Sequence, residues 1–109
     1  MESTASADER RQHLAALQLA NRVRRARAQL KRRIAEGELT AADAVLSHRW
    51  EIDRMQIGEL LTSQRGWGQR RCQQFLAALA IDETKTLGSM TERQRLAAAA
   101  RLSRNRAIG

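Results

Sequence analysis

The sequence contains few of the residues that build disulfide-bonded or strand-rich proteins. Among its 109 residues there is one cysteine and no proline, and aromatic residues make up 3% of the chain. A single cysteine cannot form an intramolecular disulfide, so the chain fits a reducing compartment. The absence of proline, together with abundant alanine, favours helices over a β-sandwich. With so few aromatic rings, the core must be built mainly from aliphatic side chains.

Long apolar segments are also missing. No run is apolar enough to cross a bilayer, and the first residues, MESTASADERR, lack the apolar region of a signal peptide. His13, His48 and Cys72 are too far apart in the sequence to indicate a metal site, and no Ser/His/Asp set is recognisable. We therefore expect a cytoplasmic protein that is not an enzyme and has no catalytic residues, metal, cofactor or membrane partner.

Arginine is what the chain has in excess. Twenty lysines and arginines face twelve acidic residues, the net charge is +8, and lysine occurs only at positions 31 and 85. The planar guanidinium group binds two phosphate oxygens at once, which the lysine ammonium cannot do. A sequence pI near 11.5 with clustered arginines is typical of nucleic-acid-binding proteins.

The arginines are concentrated in the first predicted helix. We expect a disordered leader over residues 1–7, a helix N-cap at Ser6, and a basic helix over residues 8–37 that ends at Gly37. No acidic residue occurs between Arg10 and Ala35, whereas a merely solvated face usually mixes both signs. Phosphate binding is therefore favoured over a solvated surface. The candidate contacts on this helix are Arg22, Arg24, Arg25, Arg27, Lys31 and Arg32.

The segment GWGQRRCQQF, residues 66–75, is the second candidate site. A dinucleotide fingerprint is excluded because the preceding IGELLTSQ is predicted to be helical and the third glycine is missing. What remains is helix, glycine turn, helix, in which backbone N–H groups can bind a phosphate; the alternative is a simple tight connection. Trp67 either packs beneath this turn or inserts at a base step. The candidate phosphate contacts are Arg65, Gly66, Trp67, Gly68, Gln69, Arg70 and Arg71.

Three segments occur in the order found in a known family. ANRVRRARAQLKRR, IGELLTSQRGWGQRRCQQFLAALAI and TLGSMTERQRLAAAARL together resemble the actinobacterial integration host factor family over roughly residues 10–103. The resemblance implies an all-α fold in which the basic helix precedes a compact helix-two-turn-helix domain, residues 38–103, related to one in a small-subunit ribosomal protein. A basic tail would occupy residues 104–109. The resemblance also implies a nucleoid-associated protein that binds double-stranded DNA through phosphates, with little sequence preference, and bends or compacts it.

Individual residues can be matched to this family. Gly68 matches the turn glycine, Arg71 a basic position after it, and Lys85 a basic residue in the next loop. Arg93, Gln94 and Arg95 match an Arg-Gln-Arg sequence, so Lys85, Arg93 and Arg95 join the candidate DNA contacts. The chain departs from the family pattern at Arg65, Thr86 and Gly88. With Asp82 and Glu83 nearby, the loop after Ile81 is expected to bind DNA less tightly.

The family resemblance also implies protein partners, and two alternative functions remain open. It implies support of site-specific recombination, with a recombinase or integrase in the nucleoprotein complex, and an origin in a phage or mobile element is open. We expect a monomer in solution. The first alternative is a ribosome-associated RNA-binding protein that uses the same turn. The second is a basic amphipathic helix on an anionic membrane, which the narrow, alanine-rich apolar stripe disfavours.

Overall fold

The protein is all-α over the residues that the structure describes, as predicted. The computed structural model describes the backbone of residues 2–108 and the side chains of residues 6–104. Within that range there is no β-strand, and the only β-type pairing is an isolated antiparallel bridge between Gln56 and Thr86. The helices are α1 (Glu2–Ala35), α2 (Ala41–Leu46), α3 (Ile57–Thr62), α4 (Gln69–Ala78) and α5 (Glu92–Ile108), with 3₁₀ turns at Trp50–Ile52 and Leu87–Ser89.

Helix α1 begins earlier than expected and ends close to the predicted position. It starts at Glu2, so most of the expected leader over residues 1–7 is helical; Met1 lies outside the described residues. Ser6 is inside the helix, where its carbonyl accepts from the Arg10 side chain, so the predicted N-cap there is wrong. At the other end Gly37 has φ +78°, and the N–H of residue 38 donates to the carbonyl of residue 33. This bond and the positive φ form a Schellman motif, which explains the glycine at this position.

The other helix ends follow local capping chemistry. Thr40 caps α2 by accepting from the N–H of Asp43 at 3.0 Å. The helix ends at Leu46, shortly before His48, whose φ of +54° is incompatible with continuation. Thr91 and Gln94 form a reciprocal capping box at the start of α5. That helix extends through Ser103 to Ile108, so the tail expected over residues 104–109 is helical up to 108; residue 109 lies outside the described range.

The core is formed by residues from Leu30 to Leu102, so it includes only the end of α1. From α1 it takes Leu30 and Ile34, and it continues through apolar residues of every later helix. Its fully buried large side chains are Leu30, Ile52, Met55, Ile57, Leu60, Leu61, Leu76, Leu87, Val45 and Cys72. Burial raises the pKa of the Cys72 thiol, with a smaller contribution from the charge of Glu83. Cys72 thus behaves as a buried apolar side chain of the core.

The first half of α1 extends beyond this core. Leu14, Leu17 and Leu19 are exposed, so the apolar side chains in this part of the helix do not contribute to the core. The molecule measures 66 × 27 × 22 Å, and its radius of gyration of 17.5 Å exceeds the ~13 Å of a compact 100-residue domain. The protein is therefore a compact helical domain with a long projecting helix.

Candidate nucleic-acid interface

The structure divides the cations of α1 into paired and unpaired groups. Among the described residues, Arg24, Arg25 and Arg32 make no salt bridge, and all three are exposed. Arg24 donates one hydrogen bond, to the side-chain oxygen of Asn21 at 3.2 Å. Residues 25 and 32 are seven positions apart and so lie on the same face of the helix. Among the candidate DNA contacts on α1, these three guanidinium groups are the ones that no carboxylate of the described residues pairs, and so they are available to bind an anion.

Two further cations of α1 are bound to one carboxylate of the domain. Arg27 Nη2 lies 2.7 Å from Glu59 Oε2, and Lys31 Nζ lies 2.9 Å from Glu59 Oε1. Partial burial on its own would raise the pKa of Glu59, but hydrogen bonds from Lys31 and Arg27, with their charges, lower it below 4.5. Glu59 is in the first turn of α3, so this triad fixes α1 against the helix that leads into the glycine turn.

The opposite flank of α1 is also partly neutralised. The guanidinium of Arg22 lies 5.2 Å from the ring centroid of Trp50, and its nearest contact to Glu51 is 3.8 Å. Arg33 lies 3.7 Å from Glu38 beyond the helix end. Arg22 is therefore partly committed to packing α1 on the 3₁₀ turn that follows α2, while its side chain remains largely exposed.

The glycine turn has one glycine that the backbone requires and one that it does not. Gly66 has φ +82°, a conformation that is costly for other residues. Gly68 has φ −87° and ψ 179°, which any residue adopts, and a Cβ placed there would meet no atom within 4 Å. Glycine is a tolerated helix N-cap. Beyond that preference, neither the backbone nor the packing of the protein explains Gly68, and the exposed backbone at this point is open to a ligand.

The start of α4 has unsatisfied hydrogen-bond donors. No side chain caps the helix at Gly68, and the first N–H groups of a helix have no partner within it. Arg70 and Arg71 lie in this first turn, where the helix dipole disfavours cations. A bound anion would accept from the N–H groups and offset the repulsion. Gln69 is already engaged, because its amide nitrogen donates to Glu83 at 3.0 Å.

Trp67 packs against its own domain. It is half-buried, and its ring meets that of Phe75 edge-on at a centroid distance of 5.4 Å. The guanidinium of Arg71 lies 4.4 Å from the Trp67 centroid. The packing interpretation of Trp67 is therefore confirmed. Its indole also orients Arg71 at the turn, a contact that the sequence did not predict.

The end of α1 and the glycine turn lie side by side. An open groove of about 590 Å³ is lined by Ile34 and Gly37 at the end of α1 and by Arg65, Trp67 and Arg71 at the turn. Leu102 and Ser103 of α5 form another part of its wall. The end of the basic helix is thus a neighbour of the glycine turn, whereas the candidate arginines of α1 lie outside this groove.

The loop after Ile81 is acidic and is held by hydrogen bonds within itself and to α3. Thr84 donates to the Asp82 carboxylate through both its backbone N–H and its hydroxyl, at 2.8 and 2.7 Å, and these bonds lower the pKa of Asp82. The loop is tied to α3, because the N–H groups of Ile57 and Gly58 donate to loop carbonyls. Lys85 is half-buried in this loop. Glu83, which accepts from the Gln69 side chain, therefore stands near the start of α4, where its charge opposes an anion.

Arg95 is a structural residue, so the prediction that it contacts DNA is wrong. It is only 6% exposed, and its guanidinium donates to the carbonyls of Val45, at 2.7 Å, and Leu87. Arg95 thus joins α5 to the end of α2 and to the second 3₁₀ turn. Arg93, two residues earlier, is exposed at the start of α5 and remains a candidate.

Sequence reasoning missed Glu59, Asn21 and Trp50. A single acidic residue in the apolar IGELL segment is the only local signal for Glu59, and nothing in the sequence identifies its partners. Among the described residues, no three His, Cys, Asp or Glu side chains are grouped as metal ligands would be. The described helices also include none with the length and apolarity needed to span a membrane.

Comparison with known proteins gives a match among solved structures. No protein-family model and no curated protein sequence matches the chain. The fold is similar to that of sIHF, an integration host factor, in the structure of sIHF bound to an 8-bp palindromic DNA. The TM-score is 0.67 at 26% sequence identity, over 79% of this chain and 94% of that chain. The chain therefore has the all-α architecture of an integration host factor whose structure was determined on DNA.

Proposed function

We propose that this protein binds double-stranded DNA through the phosphate backbone with low sequence preference. The observation that carries the proposal is the group Arg24, Arg25 and Arg32, exposed and without a salt bridge on a helix whose end adjoins the glycine turn. A net charge of +8 and the similarity to sIHF, which was determined on DNA, support it. Gln69, the only candidate contact with an amide side chain, donates to Glu83, which ties up one of the groups that could read an adenine edge.

The glycine turn supplies a second phosphate contact. Gly68 leaves the first N–H groups of α4 accessible, and Arg65, Arg70 and Arg71 are all exposed around it. A phosphate there would accept from the backbone and lie near two or three guanidinium groups. Two contact regions on one rigid surface bend a duplex when straight DNA cannot reach both. Bending or compaction, a place in the nucleoid and support of a recombinase or integrase belong to this proposal.

Binding to unrelated duplexes of equal length tests this function. Fluorescence anisotropy is measured for several sequences of different base composition, and for a structured RNA, at the same salt concentration. We expect affinities for the duplexes within a few-fold of one another and weaker binding to RNA. Strong preference for one duplex would contradict the low specificity. Tighter binding to RNA would support the ribosome-associated alternative instead.

A further inference from the structure

A shallow groove beside α1 contains a carboxylate among cations. It is lined by Ala20, Val23, Arg24, Arg27, Ala28, Lys31 and Glu59. Both carboxylate oxygens of Glu59 are occupied, one by Arg27 and the other by Lys31. Arg24 lines the same groove but makes no salt bridge with a described residue. Two of the three cations here are therefore partly neutralised by the protein itself.

The surroundings of the Glu59 carboxylate stabilise its charged form. Its side chain is 31% exposed, and the cations lie 2.7 and 2.9 Å away. The first turn of α3 also favours an anion through the helix dipole. A DNA phosphate and this carboxylate need the same donors of Arg27 and Lys31, because guanidinium and ammonium groups bind both kinds of oxygen. The two anions therefore compete for one site.

We propose that Glu59 is a built-in competitor for DNA phosphate, which withholds Arg27 and Lys31 and so limits the affinity of α1 for the duplex. The proposal rests on the function proposed above, and it identifies Glu59 as the residue that adjusts the affinity for DNA. Arg24 then makes the productive contact in this groove, while its two neighbours anchor α1 to α3. The strength of DNA binding is set by this internal pairing as well as by the number of cations.

Glu59→Gln tests the proposal, with Glu38→Gln as the matched control. Each variant removes one negative charge near α1, but Glu38 is exposed and lies 3.7 Å from a single partner, Arg33. We expect Glu59→Gln to tighten duplex binding several-fold more than Glu38→Gln. Each additional phosphate contact steepens the slope of log K against log salt by about 0.9. Release of two cations predicts a slope steeper by up to roughly 2 for Glu59→Gln alone.

A comparison of Lys31→Ala with Arg24→Ala, each made in the otherwise unaltered protein, does not depend on Glu59→Gln folding normally. In the otherwise unaltered protein, Lys31→Ala should weaken DNA binding less than Arg24→Ala, because Lys31 is already paired. In the Glu59→Gln background, Lys31→Ala should remove much of the gained affinity. The difference between the two backgrounds measures the coupling of Lys31 to Glu59.

Three results would overturn the proposal. These are equal effects of Glu59→Gln and Glu38→Gln, weaker binding by Glu59→Gln in a normally folded protein, and equal losses for Lys31→Ala and Arg24→Ala. Weaker binding would mean that Glu59 positions the cations for DNA instead of withholding them. If the unaltered protein binds duplexes with a clear salt dependence, these results remove only the role of Glu59. If it does not bind duplexes, the proposed function itself fails.

Discussion

At the scale of single residues, Arg93 and Arg95 show how two neighbouring arginines can have unrelated roles. Arg95 is buried and donates to two backbone carbonyls, so Arg95→Ala leaves the Val45 carbonyl without a partner and the Leu87 carbonyl with only the Met90 N–H. We expect the free energy of unfolding to fall by about 3 kcal/mol. Arg93→Ala, at an exposed position, should change it by less than about 0.5 kcal/mol. Urea denaturation of both variants measures these free energies of unfolding. Similar values for the two variants would contradict the structural role of Arg95.

The two glycines of the turn should also respond differently to alanine. Gly66 has φ +82°, so Gly66→Ala should destabilise the fold by about 1 kcal/mol or more. Gly68→Ala should destabilise it less, through the N-cap preference only. We expect Gly68→Ala to lower DNA affinity about five-fold, or about 1 kcal/mol, because its methyl group meets the bound phosphate. Thermal melts and anisotropy titrations separate the two effects, and unchanged DNA affinity in Gly68→Ala would exclude a phosphate at this turn.

Glu59 makes folding stability depend on pH. Its pKa is lowered in the folded protein, so its pairing with Arg27 and Lys31 contributes fully above pH 4.5 and is lost as pH falls through the lower folded value. The pKa of Asp82 is also lowered in the folded protein. Because Asp82 is present in both the unaltered protein and Glu59→Gln, its contribution cancels when the two are compared. The melting temperature of the unaltered protein should exceed that of Glu59→Gln at pH 7, and the gap should narrow below pH 4.5. A constant gap down to pH 3 would show that the carboxylate pairing contributes nothing.

At the scale of helices, the sequence predicted which segments are helical better than where they begin and end. The helix predicted after the glycine turn is α4, and Gly37 predicted the end of α1, which lies at Ala35. Ser6 was wrong as a cap because no glycine or proline precedes it to stop the helix, which begins at Glu2. The end of α5 was missed for a similar reason: no glycine or proline follows Ser103 until residue 109.

The candidate site was only partly predictable, for a tertiary reason. Local sequence indicated the cationic helix and the glycine turn, and both are exposed. It could not separate Arg24 from Arg27, because what distinguishes them is Glu59, 32 residues from Arg27 along the chain. The burial of Arg95 depends in the same way on the carbonyl of Val45, 50 residues away. Charge patterns identify cations, whereas the packed fold decides which of them remain unpaired.

At the scale of the whole molecule, the projecting helix suggests how a small protein can act on a long stretch of DNA. A 34-residue helix is about 50 Å long, comparable with roughly 15 base pairs. Free DNA of 30 base pairs is nearly straight, because the persistence length is about 150 base pairs. We expect energy transfer between dyes on the two ends of such a duplex to rise when the protein binds. Binding without any change in transfer would contradict bending.

The proposed DNA binding depends most on the neutralisation of DNA phosphates by the unpaired arginines of α1. The decisive measurement is the slope of log K against log salt for the unaltered protein and two triple variants, each first shown by a thermal melt to be folded. With about six phosphates neutralised, the unaltered protein should give a slope of roughly −5. Substitution of Arg24, Arg25 and Arg32 by alanine should reduce it to roughly −2 to −3. A control with the same loss of charge replaces Arg22, Arg33 and Arg49, each within 4 Å of a carboxylate, and should stay near −5. Equal slopes for the two triple variants, or a slope near zero for the unaltered protein, would contradict the account.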